Sequence, residues 1–317
     1  MRHNFKRIII LFLVLGLVVG TISVMLYQWN QMRNANSKKD DEKTEEVVEL
    51  PDDLAEREAL YQQAYPEMDP AEVHRRVLMN LDKKPYDDAH QIQNPGSMTI
   101  LVNKYHYLSS SYEPEDLTTL ISNPDIYMRE EAAKAMDRLI SGAAEQGFNI
   151  TVLSGYRSWQ DQKKIYESVR KSDGAEIADG YWSRPGFSES QTGLSADIML
   201  GNSPDDLNSI LYDPNYQWVI DHLADYGFVL RFDDGKQDYT LILPQSFHIR
   251  YVGGKAAREM KNGNLCLEEY LILPLLEAEK EESDQAKEEE PKEEPVEEPT
   301  EPVEEQPLEE LAEQPVE

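Results

Sequence analysis

Apolar and polar positions divide this chain of 317 residues into distinct regimes. Ile8 to Leu26 is an uncharged run (IIILFLVLGLVVGTISVML), long enough at the helical rise to cross the hydrocarbon core of a bilayer. Residues 28–50 are polar and charged. Pro51 to Leu81 holds two helix-like stretches, with Asp52 or Asp53 placed to cap the first and Asp69-Pro70 opening the second. Tyr86 to Gly96 reads as a loop, and a globular part begins near Met98. Thr99 to Asn103 is a strand candidate. In Arg129 to Gln146 the residues Ala132, Met136, Leu139, Ile140 and Ala143 recur at helical spacing, and Gly147 ends the element. Asn149 to Leu153 alternates like a strand, and Trp159 to Val169 continues as a helix.

Further on, Gly193 to Leu200 is strand-like, Tyr216 to Tyr226 is a helix ended by Gly227, and Phe228 to Phe232 is a strand. Thr240 to Leu243 and His248 to Val252 read as two strands split by Pro244. Gly254 to Lys261 is a last helix before Leu265 to Leu273. Strands and helices mix without a regular βαβ repeat. The expected class is α+β, a small and mainly antiparallel sheet flanked by helices.

Charge assigns the two ends. Arg2, Lys6 and Arg7 precede the apolar run and no charge follows until Arg33, which puts the N-terminus in the cytoplasm and the rest outside. A cleavable signal peptide is the alternative, but no small-x-small site follows Leu26, and no cysteine is near enough for a lipoprotein signal. The expected division is 1–7 cytoplasmic, 8–27 membrane anchor, 28–97 linker and stalk, 98–276 folded domain and 277–317 disordered tail. That tail carries 19 acidic residues against 3 lysines, more than half of the net charge of −30, and is studded with proline. It cannot bury enough apolar surface to offset its chain entropy. It is either a solvating tail or an arm for cations or a basic partner. The acidic balance argues against nucleic acid. Cys266 is the only cysteine, so no disulfide within the chain supports the domain, and between Leu265 and Leu267 it reads as packing.

Four strings carry the chemistry. They are Leu101-Val102-Asn103-Lys104 with Tyr112 to Leu117, Ser154-Gly155-Tyr156-Arg157-Ser158, Pro185 to Asp197 (PGFSESQTGLSAD), and Phe247 to Gly253 (FHIRYVG). In order and spacing they resemble the D-alanyl-D-alanine carboxypeptidase family of the VanY type, within the M15 zinc metallopeptidases. The resemblance spans essentially the whole globular part. It implies a catalytic zinc with three protein ligands and an open place for water. It also implies a glutamate as general base three residues before the last histidine ligand, and an arginine that stabilises charge on the substrate carbonyl.

Carried over residue by residue, Asp197 and His248 match two ligands and Arg157 matches the charge-stabilising arginine. The third ligand falls on Ser190, and the base falls on Gln245, an amide that accepts no proton at neutral pH. Loss of a positioned base alone costs about 10²–10⁴ in rate. Glu189 adjoins Ser190, but neighbours on an extended segment point to opposite faces, and the family pattern does not use this glutamate as a ligand. His222 reads as surface or core edge, while His90 and His106 stay open as replacement ligands.

The resemblance further implies a peptide groove lined by Ser154, Tyr156, Arg157, Ser188, Gln191, Arg250 and Tyr251, any of which could instead be scaffold. The expected function is a membrane-anchored, extracytoplasmic pseudopeptidase, without cofactor, that binds a peptidoglycan stem peptide or a cell-wall enzyme. The alternative is an active D,D- or L,D-carboxypeptidase trimming D-alanine, with zinc in a rescued, non-standard site. A third reading makes the tail and stalk the working parts.

Overall fold

The computed structural model describes residues 50–201 and 206–289. The apolar run, residues 28–49 of the linker and most of the acidic tail lie outside the described residues. Among those described, no helix is long and apolar enough to cross a membrane. The chain divides into two units, Met1–Leu275 and Leu276–Glu317, and the site belongs to the first.

The two stretches near the start form helices α1 (Leu54–Ala64) and α2 (Pro70–Leu78). Asp69 caps α2 by accepting the amide of Ala71, and proline occupies its first turn. Leu54, Tyr61, Val73 and Val77 close a small core between the two helices. Buried Arg57 donates to Asp82 and to the Val77 carbonyl. Tyr86 to Gly96, read as a loop, contains β1 (His90–Gln91), which pairs in parallel with β2 (His106–Tyr107).

Thr99 to Asn103 is not a strand; only Asn103 bridges, to His106. Its neighbourhood is held by a side chain instead of a ladder, because Arg250 donates to the carbonyls of Met98 and Ile100. An unforeseen antiparallel hairpin follows, β3 (Leu117–Thr119) with β4 (Tyr127–Arg129). Helix α3 (Glu130–Glu145) buries Ala132, Ala133, Ala135, Met136, Leu139 and Ala143. Its small residues bring it close to the main sheet, where Ile150, Val152, Ile198 and Ile249 complete the core.

That sheet has four strands in the order β5 (Ile150–Ser154), β6 (Ser195–Leu200), β8 (Gln245–Tyr251) and β7 (Phe228–Phe232), every neighbouring pair antiparallel. The α+β class with small antiparallel sheets is therefore what the chain adopts. Thr240 to Leu243 is not a strand: a short helix, α7 (Gln237–Thr240), stands there and β8 begins directly after Pro244. Proline cannot donate within a ladder, so it marks a strand start here and not a gap between two strands.

Helix α4 (Trp159–Asp173) starts at Ser158, whose hydroxyl accepts the amide of Asp161. A further helix, α5 (Ala175–Tyr181), follows Gly174. The stretch Tyr216 to Tyr226 is α6 (Tyr216–His222) tightening into a 3-10 turn (Leu223–Tyr226) that Gly227 ends with φ of 83°. Helices α8 (Gly254–Gly263) and α9 (Leu267–Glu289) complete the described chain.

Candidate functional site

Register builds the site. Ser154 pairs with Asp197 across β5 and β6, and Asp197 pairs with His248 across β6 and β8. Directly paired residues put their side chains on one face, so three separate segments deliver Ser154, Asp197 and His248 as a row. The His248 Nδ1–H donates to Asp197 Oδ1 at 2.7 Å, and the Ser154 hydroxyl donates to Asp197 Oδ2 at 2.5 Å. Arg157 Nη2 stands 3.8 Å from the same Oδ2, while Nη1 donates to Gln162 Oε1 at 2.8 Å. The Arg157 amide donates to the Ser190 carbonyl, tying the segment after β5 to the turn before β6. Gly155 is needed here. A Cβ on it would lie 2.5 Å from the Tyr127 carbonyl oxygen.

Behind His248 lies a buried ionic cluster. Glu189 sits in a 3-10 turn (Glu189–Thr192), not in an extended segment, which corrects the expectation that its side chain leaves the site. Glu189 Oε1 accepts from Arg231 Nε at 2.7 Å and has Arg250 Nη1 2.8 Å away. Its Oε2 lies 3.8 Å from His248 Nε2, and neither of these two atoms has a hydrogen-bond partner among the described residues. Arg231 also makes a bidentate pair with Glu268, at 2.7 and 2.9 Å. Fully buried charges persist only when paired in this way.

The same contacts set the acid–base behaviour. Burial would raise the Glu189 carboxyl, but Arg231, Arg250 and His248 outweigh it and hold the group well below the usual carboxylate range. Burial would likewise raise Asp197, and the His248 and Ser154 hydrogen bonds lower it. Burial alone would lower the His248 imidazole, yet Asp197 and Glu189, one at each ring nitrogen, raise it above its ordinary value.

The remaining expected groove residues divide. Ser154, Tyr156 and Arg157 are partly exposed. Ser188, Gln191, Arg250 and Tyr251 are buried, which places them behind the surface a peptide would meet. Gln191 donates to the carbonyls of Ser109 and Tyr112, Arg250 to those of Met98, Ile100 and Tyr251, and the Tyr251 hydroxyl to Glu131. Gln245 is buried too, and its amide donates to the Tyr181 carbonyl at 2.7 Å.

The residues present do not fit the zinc that the resemblance implies. The third ligand position is the buried hydroxyl of Ser190, and the base position is an amide bonded to backbone. Among the described residues no group of three or more His, Cys, Asp or Glu could hold a metal. His222 is stacked on Trp218 with Nδ1 at the Trp218 carbonyl, His106 is bonded to Asn103, and His90 sits on β1 beside it.

Sequence reading missed Arg231 and Glu268, which come from segments distant from every motif. An arginine inside the apolar run Phe228 to Phe232 was the available signal, since a charge there requires a buried partner.

Comparison with known proteins agrees with this architecture. Residues 125–254 match the family model described as VanY, D-alanyl-D-alanine carboxypeptidase. The chain is 36% identical over 201 residues to YodJ of Bacillus subtilis, which carries a carboxypeptidase name, covering 60% of this chain and 72% of that one. It is 31% identical over 177 residues to the bifunctional D-Ala-D-Ala dipeptidase and carboxypeptidase VanXYC of Enterococcus gallinarum, covering 54% and 91%. Among solved structures it is similar to the LdcB LD-carboxypeptidase, with 34% identity, a TM-score of 0.53 and coverage of 59% and 92%. The motifs, the three-strand row and these matches together establish that the chain belongs to the VanY-type D-alanyl-D-alanine carboxypeptidase family.

Proposed function

We propose that this protein is a membrane-anchored, extracytoplasmic member of its family that binds the peptide stems of peptidoglycan without hydrolysing them. One observation carries the reading: the side chain at the family's general-base position is the buried amide of Gln245, which donates to the Tyr181 carbonyl. Gln245 has no basic lone pair to offer, because its oxygen belongs to an amide.

Binding can survive that loss. Arg157 keeps a planar donor fork at the partly exposed edge of the row, suited to the terminal carboxylate of a peptide. Ser154 and Tyr156 precede it in sequence, and Gln162 accepts a hydrogen bond from it. The VanXYC relative is named for D-Ala-D-Ala substrates, and the LdcB structure is described in terms of peptidoglycan recognition. The anchor rests on the run Ile8 to Leu26 and the charge asymmetry around it.

The test is calorimetric titration of the full chain with a stem pentapeptide ending in D-Ala-D-Ala, paired with an assay for released D-alanine. Saturable binding with no release is expected. Release that depends on added zinc would overturn the proposal in favour of an active carboxypeptidase.

A further inference from the structure

The amide of Gln245 has a partner that an ionised glutamate could not have. Its Nε2 donates to the carbonyl of Tyr181, the last residue of α5, at 2.7 Å. Only the NH₂ side of an amide can face a carbonyl oxygen, so the orientation of this side chain is determined by its partner. Two residues upstream, the Leu243 amide donates to the Gly180 carbonyl at 3.1 Å. The last carbonyls of a helix have no partner within it, and here β8 and the residues just before it supply two donors to them.

A second glutamine grips the same backbone from the other side. Gln162, 1% exposed on α4, donates through Nε2 to the Ser183 carbonyl at 2.6 Å. Its Oε1 accepts from Arg157. The carbonyls of Gly180, Tyr181 and Ser183 are thus taken by donors from β8, from the segment just before it and from α4. One of those donors also orients Arg157, and another stands three residues before His248 on the same strand. The segment is thus tied by hydrogen bonds to residues on both sides of the site, and Tyr181 on it is exposed.

We propose that Gln245 is a positioning residue of the peptide groove: with Gln162 it fixes the Gly180–Ser183 backbone as a groove wall, and through that wall it selects which peptide end fits. The proposal rests on the stem-peptide reading above. On this account Gln245 is a replacement with its own task. A glutamate in its place would set an ionised carboxylate against the Tyr181 carbonyl, acceptor against acceptor.

The test compares the full-length native chain with Gln245→Glu and Gln245→Met. In hydrogen exchange, protection of the Trp182 and Leu243 amides falls about tenfold in Gln245→Met, where a hydrogen bond is lost, and further in Gln245→Glu. Protection in α3 is unchanged. Equal protection in all three chains, or a loss spread evenly over α3 and the wall, contradicts the role. In titrations with stem tetrapeptide and pentapeptide, the ratio of the two affinities shifts in both variants. A uniform loss for both peptides is what mere destabilisation gives, and it would overturn the selective role. Failure of the native chain to bind either peptide removes the stem-peptide reading and, with it, selection; the exchange result then still decides whether Gln245 holds the wall.

Discussion

His248 Nδ1 lies 2.7 Å from Asp197 Oδ1, and the two residues are direct register partners on adjacent strands. The sheet register therefore sets the two side chains next to each other on one face. Asp197 is further satisfied by Ser154, and His248 is packed against the ring of Phe232 with centroids 5.2 Å apart. His248 Nε2, 3.8 Å from Glu189 Oε2, has no hydrogen-bond partner among the described residues.

Glu189 anchors the floor of the site, and its charge is needed there. Glu189→Gln leaves Arg231 and Arg250 sharing one fewer buried carboxylate, an expected loss of about 3 kcal/mol. Urea denaturation checks this against Glu167→Gln, whose exposed partner is Lys163 and whose expected cost is below about 1 kcal/mol. Equal effects in the two variants would contradict a structural role for the cluster.

Gly155 tests the local geometry that places Arg157. In Gly155→Ala the new methyl meets the Tyr127 carbonyl oxygen at 2.5 Å and Ile126 Cγ2 at 2.9 Å, so the backbone must move. The expected cost is about 1–3 kcal/mol. Gly96→Ala meets nothing within 4 Å and is expected to be nearly neutral. Thermal denaturation of both variants reads the contrast.

Acid should loosen the wall segment through Asp179. Burial would raise this carboxyl, but hydrogen bonds from Arg184 and Tyr166 outweigh it and lower it below its ordinary value of 3.8. A depressed carboxylate contributes stability that is present above its unfolded value and lost as pH falls through the folded one. Melting temperature should therefore drop on acidification below about pH 4, and Asp179→Asn should reduce that part of the slope. An identical pH dependence in the variant would remove Asp179 as its source.

Much of this was legible from residues alone, for physical reasons that differ by position. Asp197, His248 and Arg157 sit in strings whose spacing is bound to strand register, so their convergence follows once the strings are recognised. Helix α3 was plain because its apolar residues repeat at 3.6. Glu189 was misplaced because its backbone turns in a 3-10 helix, and strand alternation does not hold there. Arg231 and Glu268 were hidden because their pairing joins segments 37 residues apart. Helix α5 was missed between Gly174 and Gly180, too short to show a period. The strand at Gln245 was missed because Pro244 was taken as a break inside a strand and not as its start.

Zinc content tests most directly the proposal that a serine at position 190, in place of an imidazole, leaves the site without a metal. The full-length chain and its Ser190→His variant would each be loaded with zinc, dialysed and assayed by elemental analysis. The native protein is expected to retain essentially none, while the variant, with three ligands restored, holds about one ion per chain. One tightly held zinc in the native protein would contradict the account.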